Sequence, residues 1–167
     1  MTTDTLFTVE SLSNGHSQQI IALILPIQQI EFNVPVTLKD QPDLLDIEGF
    51  YTHPGGNFWG ALKDEELIGT IALIDTGHAA AAIRKMFVKK EYRGKEFGIA
   101  QRLLETLIAY CREKGIKDVY LGTVNVLKAA QRFYERNGFT QIAMHDLPVY
   151  FPRMAADEIF YHLSIQS

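Results

Sequence analysis

The sequence is poor in cysteine, in charge of one sign and in long apolar runs, and each shortage removes a class of protein. A single cysteine, Cys111, cannot close an internal disulfide or hold a zinc ion alone. A disulfide-stapled scaffold and a cysteine-built metal module are therefore excluded, and no metal site is expected. Sixteen basic residues stand against twenty acidic ones, a net charge of −4. Nucleic-acid binders carry a basic excess, so no nucleic-acid partner is expected. The run "IIALILPI", residues 20 to 27, is too short to span a bilayer, so no membrane partner is expected. The start "MTTDTLFTVESL" lacks a basic stretch followed by an apolar one, so no secretory signal and a cytoplasmic location are expected. Two phosphate-binding fingerprints are also missing: the GxGxxG turn after a first strand, and GxxxxGK[ST].

What is present is one domain's worth of chain. The 167 residues suffice to bury a core, no linker or repeat divides them, and residues 1–167 read as a single domain. Residues 7–11 read as a short strand, "HSQQIIALILPIQQIEF" as a helix kinked by Pro26, and "LKDQPDLLDIEGFY" as a second, shorter helix. "GNFWGAL", "LIGTIALI" and "AAIRKMFV" form a meander around the polar turn "KDEE". Ile99, Leu103, Leu107 and Cys111 recur every four residues, which predicts a helix from about residue 96 to 114, closed by Gly115. "IKDVYLGT" is a strand, "LKAAQRFYERNG" a helix, and "FTQIAMH" and "EIFYHLSI" two final strands. A β-α-β crossover flanked by antiparallel strands predicts an α/β (α+β) fold with a mixed, mostly antiparallel central sheet and helices on both faces. The last strand reads as an aromatic sheet edge able to pair across a two-fold axis, which favours a homodimer.

The stretch "VKKEYRGKEFGIAQRLLETL", residues 88 to 107, places glycines where a helix begins. A helix start leaves backbone N–H groups unpaired and carries the positive end of the dipole. Gly94, Gly98 and the small Ala100 allow a ligand close to that backbone, and Arg93 and Lys95 add positive charge. The alternative is a turn with no ligand, its lysines part of a solvated basic patch that includes Arg84, Lys85, Lys89 and Lys90. Further on, "AAQRFYERNGF" sets Ala130 and Tyr134 one helical turn apart.

Together, "KEFGIA" (Lys95 to Ala100) and "AAQRFYERNGF" (129 to 139), separated by the strand "IKDVYLGT", resemble the GNAT superfamily of acyl-CoA-dependent N-acyltransferases. The resemblance is strongest over residues 57 to 140. Lys95 stands where that family has Gln or Arg, and the turn is two residues longer than the common form, so either Arg93 or Lys95 takes the pyrophosphate. Leu127 stands where an asparagine is usual, and Asn125 or Thr123 is the substitute. The resemblance implies acetyl-CoA as cofactor, bound by the loop from Arg93 to Ala100 including Ile99, with Asn125 and Ala130 beside it. It implies N-acetyl transfer to a small-molecule or peptide amine by direct attack. Backbone N–H groups of Met86 and Val88 would polarise the thioester carbonyl, and Tyr134 would protonate the leaving thiolate. A non-catalytic module that binds acyl-CoA is the alternative.

Asp75, His78 and Glu31 are base candidates by element placement, with His145 and Asp146, on the C-terminal loop, no stronger. Tyr51, His53, Phe58, Trp59, Tyr150 and Phe151 are candidates to line an amine pocket, and Arg153 or Arg84 to hold a carboxylate of the acceptor.

Overall fold

The computed structural model describes residues 6–166, built on a seven-stranded sheet of order β1-β2-β3-β4-β5-β7-β6. The strands are β1 (Thr8–Ser11), β2 (Asn57–Lys63), β3 (Glu66–Gly77), β4 (Ala80–Val88), β5 (Asp118–Thr123), β6 (Thr140–Ile142) and β7 (Ile159–Ser164). Connection length sets the pairing. Asp64 and Glu65, both at positive φ, close the tight β2–β3 hairpin. The long crossover through α2 (Ile99–Lys114) makes β4 and β5 parallel, and every other neighbouring pair is antiparallel.

Helices cover both faces, as the apolar patterns require. On one face Ile99, Leu103, Leu104, Leu107 and Cys111 of α2 pack on Ile71, Leu73, Ala81, Ile83 and Val119, with Tyr134 of α3 (Lys128–Arg136) in the same core. A fully buried leucine stabilises by about 1.5–3 kcal/mol, so Leu103 and Leu107 fix where the start of α2 sits. On the other face Ile20, Ile24 and Ile27, in and after α1 (Ser17–Pro26), pack with Leu44, Ile47 and Tyr51 on Phe58 and Ala72. Pro26 lacks the N–H needed to continue the α ladder, and the chain widens into a π-type turn over Ile27–Glu31. No helix among the described residues is long and apolar enough to cross a membrane.

Two expectations are corrected. Residues 38–51 form no α-helix: they make a 3₁₀ turn at Pro42–Leu45 and a π-type turn at Glu48–Thr52. Leu44, Ile47 and Tyr51 keep helical spacing and are buried, but the Asp46 carboxylate takes the Gly49 amide at 3.1 Å and restarts the chain locally. The aromatic strand β7 is interior, between β5 and β6, so the sheet edges are β1 and β6. A homodimer built on a β7 edge loses its basis.

Candidate active site

β4 and β5 run together only from Ala80↔Asp118 to Ile83↔Leu121. Beyond that point β4 stays with β3 as far as Val88 and β5 stays with β7 as far as Thr123, so the sheet splits. A bulge in β4 lies at the split. Pairing jumps from Thr70↔Phe87 to Ala72↔Arg84, and Lys85 takes the left-handed conformation at φ +55. Such a backbone costs a non-glycine residue roughly 1–2 kcal/mol, so something must hold it.

The holding contacts are buried and polar. Thr70 Oγ1 donates to the Lys85 carbonyl at 2.7 Å, and Lys85 Nζ donates to Gln41 Oε1. Lys85 Nζ also lies 3.6 Å from Asp43 Oδ2, which accepts the Tyr51 hydroxyl at 2.5 Å. Gln28 and Gln41 bond each other through their amides. Burial pushes the Lys85 ammonium's pKa down, and the Asp43 carboxylate opposes that shift. Burial, then Asp43, pushes the Tyr51 phenol well up. Lys85 therefore does not belong to a solvated basic patch; it is a paired charge inside the protein.

The bulge orients the end of β4. Lys89 donates its amide to Ile68 of β3 at 2.8 Å. Amides alternate along a regular strand, so that of Val88 faces away from β3, toward the split, while Met86 lies within the bulge itself.

Two cavities meet there. The larger, about 820 Å³, lies between the start of α2, the end of β4 and α3. Met86, Val88, Arg93, Gly94, Lys95, Gly98, Ala100, Ala130 and Tyr134 all line it. Its charged lining is wholly cationic: Arg93, Lys95, Arg102, Lys128 and Arg136, with no carboxylate. Gly98 sits at φ +69 with open space where a Cβ would project. The first intrahelical bond of α2 is Arg102 N–H to Gly98 C=O at 3.1 Å, which leaves the amides of Ile99, Ala100 and Gln101 ahead of it. Cations, helix amides and an open glycine backbone fit a ligand carrying several phosphate oxygens.

The smaller cavity, about 130 Å³, opens from the split and is lined by Arg84, Lys85, Gln28, Gln41, Gly122 and Asp157 among others. Both cavities share Phe32, Met86, Phe87, Leu127, Ala130 and Tyr134. Tyr134 is 4% exposed, and its hydroxyl has no hydrogen-bond partner among the described residues. Burial, then the neighbouring Tyr161, raises its pKa, so the phenol stays protonated at neutral pH.

Not every residue expected at the site lines it. Ile99 is buried in the core, leaving only its amide for a ligand. Asn125 lies outside both linings, with its side-chain oxygen accepting from Lys128 Nζ at 2.6 Å; Thr123 lines the smaller cavity. Arg93 reaches the larger cavity but is tied down: its guanidinium pairs with Glu31, and Nε donates to Val88 C=O at 2.8 Å. Lys95 is exposed at the rim.

None of the base candidates lines either cavity. Glu31 faces Arg93, His78 stacks on Tyr150 with ring centroids 4.2 Å apart, and Asp75 accepts the Gly77 amide at 2.9 Å. His145 and Asp146 are exposed, 3.7 Å apart. Tyr51, Phe58, Trp59 and Phe151 are buried packing residues, and Arg153 donates to Met144 Sδ. Of the acceptor-side candidates, Arg84 lines the smaller cavity. Gln41, Lys85 and Asp157 were missed; a lysine inside the apolar strand "AAIRKMFV" was the available signal for one of them.

Cys111 is buried in α2, and burial pushes its thiol up to about 12. The two linings contain no cysteine, serine or histidine.

A mixed sheet split between its two parallel strands, with a helix start and cationic walls on one side of the gap, is the architecture of an acyl-carrier-dependent transferase. Residues 21–139 match the family of acetyltransferases described as the "Acetyltransferase (GNAT) family", and the chain belongs to it. Acetyl-CoA is that family's co-substrate. A GNAT-family acetyltransferase from Staphylococcus aureus Mu50, known as a crystal structure, is 37% identical, covers 96% of this chain and 100% of its own, and superposes with a TM-score of 0.93. The probable N-acetyltransferase camello of Xenopus tropicalis is 32% identical over 109 residues, 64% of this chain and 49% of the relative. The N-acetylaspartate synthetase of Danio rerio is 33% identical over 102 residues, 60% of this chain and 36% of the relative. The matches thus span half or less of these two relatives' length.

Proposed function

We propose that this protein transfers an acetyl group from acetyl-CoA to a primary amine by direct attack, without a covalent enzyme intermediate. The observation that carries this reading is the split itself. It has the main-chain amide of Val88 on one side and the unpartnered Tyr134 hydroxyl on the other, and no side-chain nucleophile of the cysteine, serine or histidine type. Bound acetyl-CoA supplies the acetyl group as an activated thioester. The start of α2, with Lys95, holds its phosphates; the amide of Val88 bears on the carbonyl oxygen as charge develops there. Tyr134 donates its proton to the departing sulfur. The lone buried Cys111 is compatible with a reducing compartment, and the co-substrate favours the cytoplasm. A module that only binds acyl-CoA needs no second cavity behind the split, and the chamber holding the charged Arg84 and Asp157 weighs against that alternative.

Calorimetric titration with acetyl-CoA, using NAD as control, followed by thiol release with a panel of amines, tests the proposal. Micromolar binding of acetyl-CoA alone, with amine-dependent release, is the expected result. Binding without turnover on any amine favours the module. No binding removes both readings.

A further inference from the structure

Resting on the acetyltransferase reading, we infer that the acceptor is a small α-amino acid, its carboxylate held by Arg84 and its amine by Asp157, and that Asp157 accepts the proton the ammonium group must lose before attack.

The smaller cavity carries three charged side chains: Arg84, Lys85 and Asp157. Lys85 is neutralised from behind by Asp43. The other two have no ion-pair partner among the described residues. Arg84 donates one N–H to the Pro152 carbonyl, which leaves most of its five-donor fork open. Asp157 accepts the Met154 amide at 3.1 Å and otherwise faces the cavity. Its carboxylate lies directly over Gly122 of β5, where a Cβ would come within 2.5 Å of Oδ2. The missing side chain at Gly122 is what gives the carboxylate its place next to the split. One small chamber thus presents an open cation and an open anion, and the complement of that pair is a zwitterion.

The chamber, about 130 Å³, has room for a compact amino acid beside Arg84 and Asp157. Gln28 and Gln41 also line the wall, their amides engaged with each other.

The proton balance closes on these residues. The ammonium group passes one proton to the Asp157 carboxylate. The free amine attacks the thioester carbonyl carbon; the N–C bond forms as the C–S bond breaks, and the sulfur takes the Tyr134 proton. The second nitrogen proton restores Tyr134, and Asp157 releases its own to solvent. Burial raises the Asp157 pKa, opposed by the Met154 amide and by Arg84, Arg153 and Lys85, so its carboxylate is a better base than an exposed aspartate.

The test pairs each of L-alanine, L-serine and L-aspartate with the amine lacking its α-carboxylate: ethylamine, ethanolamine and β-alanine. Thiol release is followed with acetyl-CoA, and binding of the acids to the protein without acetyl-CoA by saturation-transfer NMR. At least one acid is expected to bind and to turn over at least about 30-fold better than its partner, the scale of losing a buried charge contact. Arg84→Gln should raise KM for that acid by a similar factor with a smaller change in kcat, and Arg84→Lys should recover part of it. Asp157→Asn should lower kcat/KM about 100-fold near pH 7 and remove the acidic limb of the pH profile, while Asp157→Glu keeps the limb. Gly122→Ala should act like a weaker Asp157 variant. Amines turned over as well as their acids overturn the inference, as does an unchanged acidic limb in Asp157→Asn. Acids that neither bind nor react, with acetyl-CoA still bound, also overturn it and leave the acetyltransferase reading standing.

Discussion

Thr70 on β3 donates its hydroxyl to the main-chain carbonyl of Lys85, 2.7 Å away, at the residue where β4 bulges. Both residues are buried, so no water replaces the bond if it is lost. Thr70→Val keeps the shape and removes the donor, leaving a buried carbonyl unsatisfied at a cost of about 1–3 kcal/mol. The urea midpoint is expected to fall accordingly, and kcat to fall more than acetyl-CoA affinity, because the amides of Met86 and Val88 follow the bulge. Thr70→Ser is expected to restore both. Equal losses in kcat and affinity would tie the bond to the fold alone.

The choice between Arg93 and Lys95 as pyrophosphate ligand is open to direct test. Arg93 is held by Glu31 and by the Val88 carbonyl, with its guanidinium 5.7 Å from the Phe32 ring centroid, whereas Lys95 is exposed at the rim of the larger cavity. Lys95→Ala should weaken acetyl-CoA binding about tenfold, the scale of one hydrogen bond to a charged group. Arg93→Ala should lower the melting temperature and change affinity by less than about threefold. Calorimetry of both variants decides the matter, and the reverse order would make Arg93 the ligand.

The same ion pair gives a pH signature. The hydrogen bond from Arg93 holds the Glu31 carboxyl below its ordinary range, with burial opposing the shift. A folded-state pKa that is depressed stabilises the protein above the unfolded value, about 4.3. That contribution is lost as pH falls through the depressed value. Thermal melts of the wild type and Glu31→Gln should therefore differ at pH 6 to 7 and converge toward pH 3. The gap should amount to no more than about 1 kcal/mol, because the pair is only partly buried. A gap that persists at low pH would mean that packing of the side chain, not its charge, is what counts.

Local features of the site were legible in the sequence, and long-range ones were not. Leu103 and Leu107 announce α2 by spacing alone, and Gly94 and Gly98 mark its approachable start because backbone conformation is a local property. Leu44, Ile47 and Tyr51 carry the same spacing, yet Pro42 and the Asp46–Gly49 bond break the segment into turns. The Gln41–Lys85 contact joins residues 44 apart in sequence, and no periodicity reports which strand residue a loop side chain meets. Asp157 comes from a loop without a repeating pattern and acquires its meaning only over Gly122. The base candidates His78, His145 and Asp146 rest on where their elements and loops fall along the chain, and tertiary structure places all three away from both cavities.

Tyr134 offers the sharpest separation of chemistry from packing. Its ring belongs to the core with Phe139 and Tyr161, while its hydroxyl has no partner among the described residues. Tyr134→Phe keeps the ring and breaks no intramolecular bond, so the melting temperature should move by no more than about 2 °C, the shift expected for a few tenths of a kcal/mol. Acetyl-CoA affinity should stay within about twofold. If the phenol protonates the leaving sulfur, kcat should fall at least about 100-fold, the lower end of what a placed acid contributes. Because burial raises the phenol's pKa, the wild-type rate should show no basic limb from this group below pH 10. Single-turnover thiol release by Tyr134→Phe decides between the two roles: a rate unchanged from wild type would reduce Tyr134 to a core ring, and the proton would then have to reach the sulfur through water.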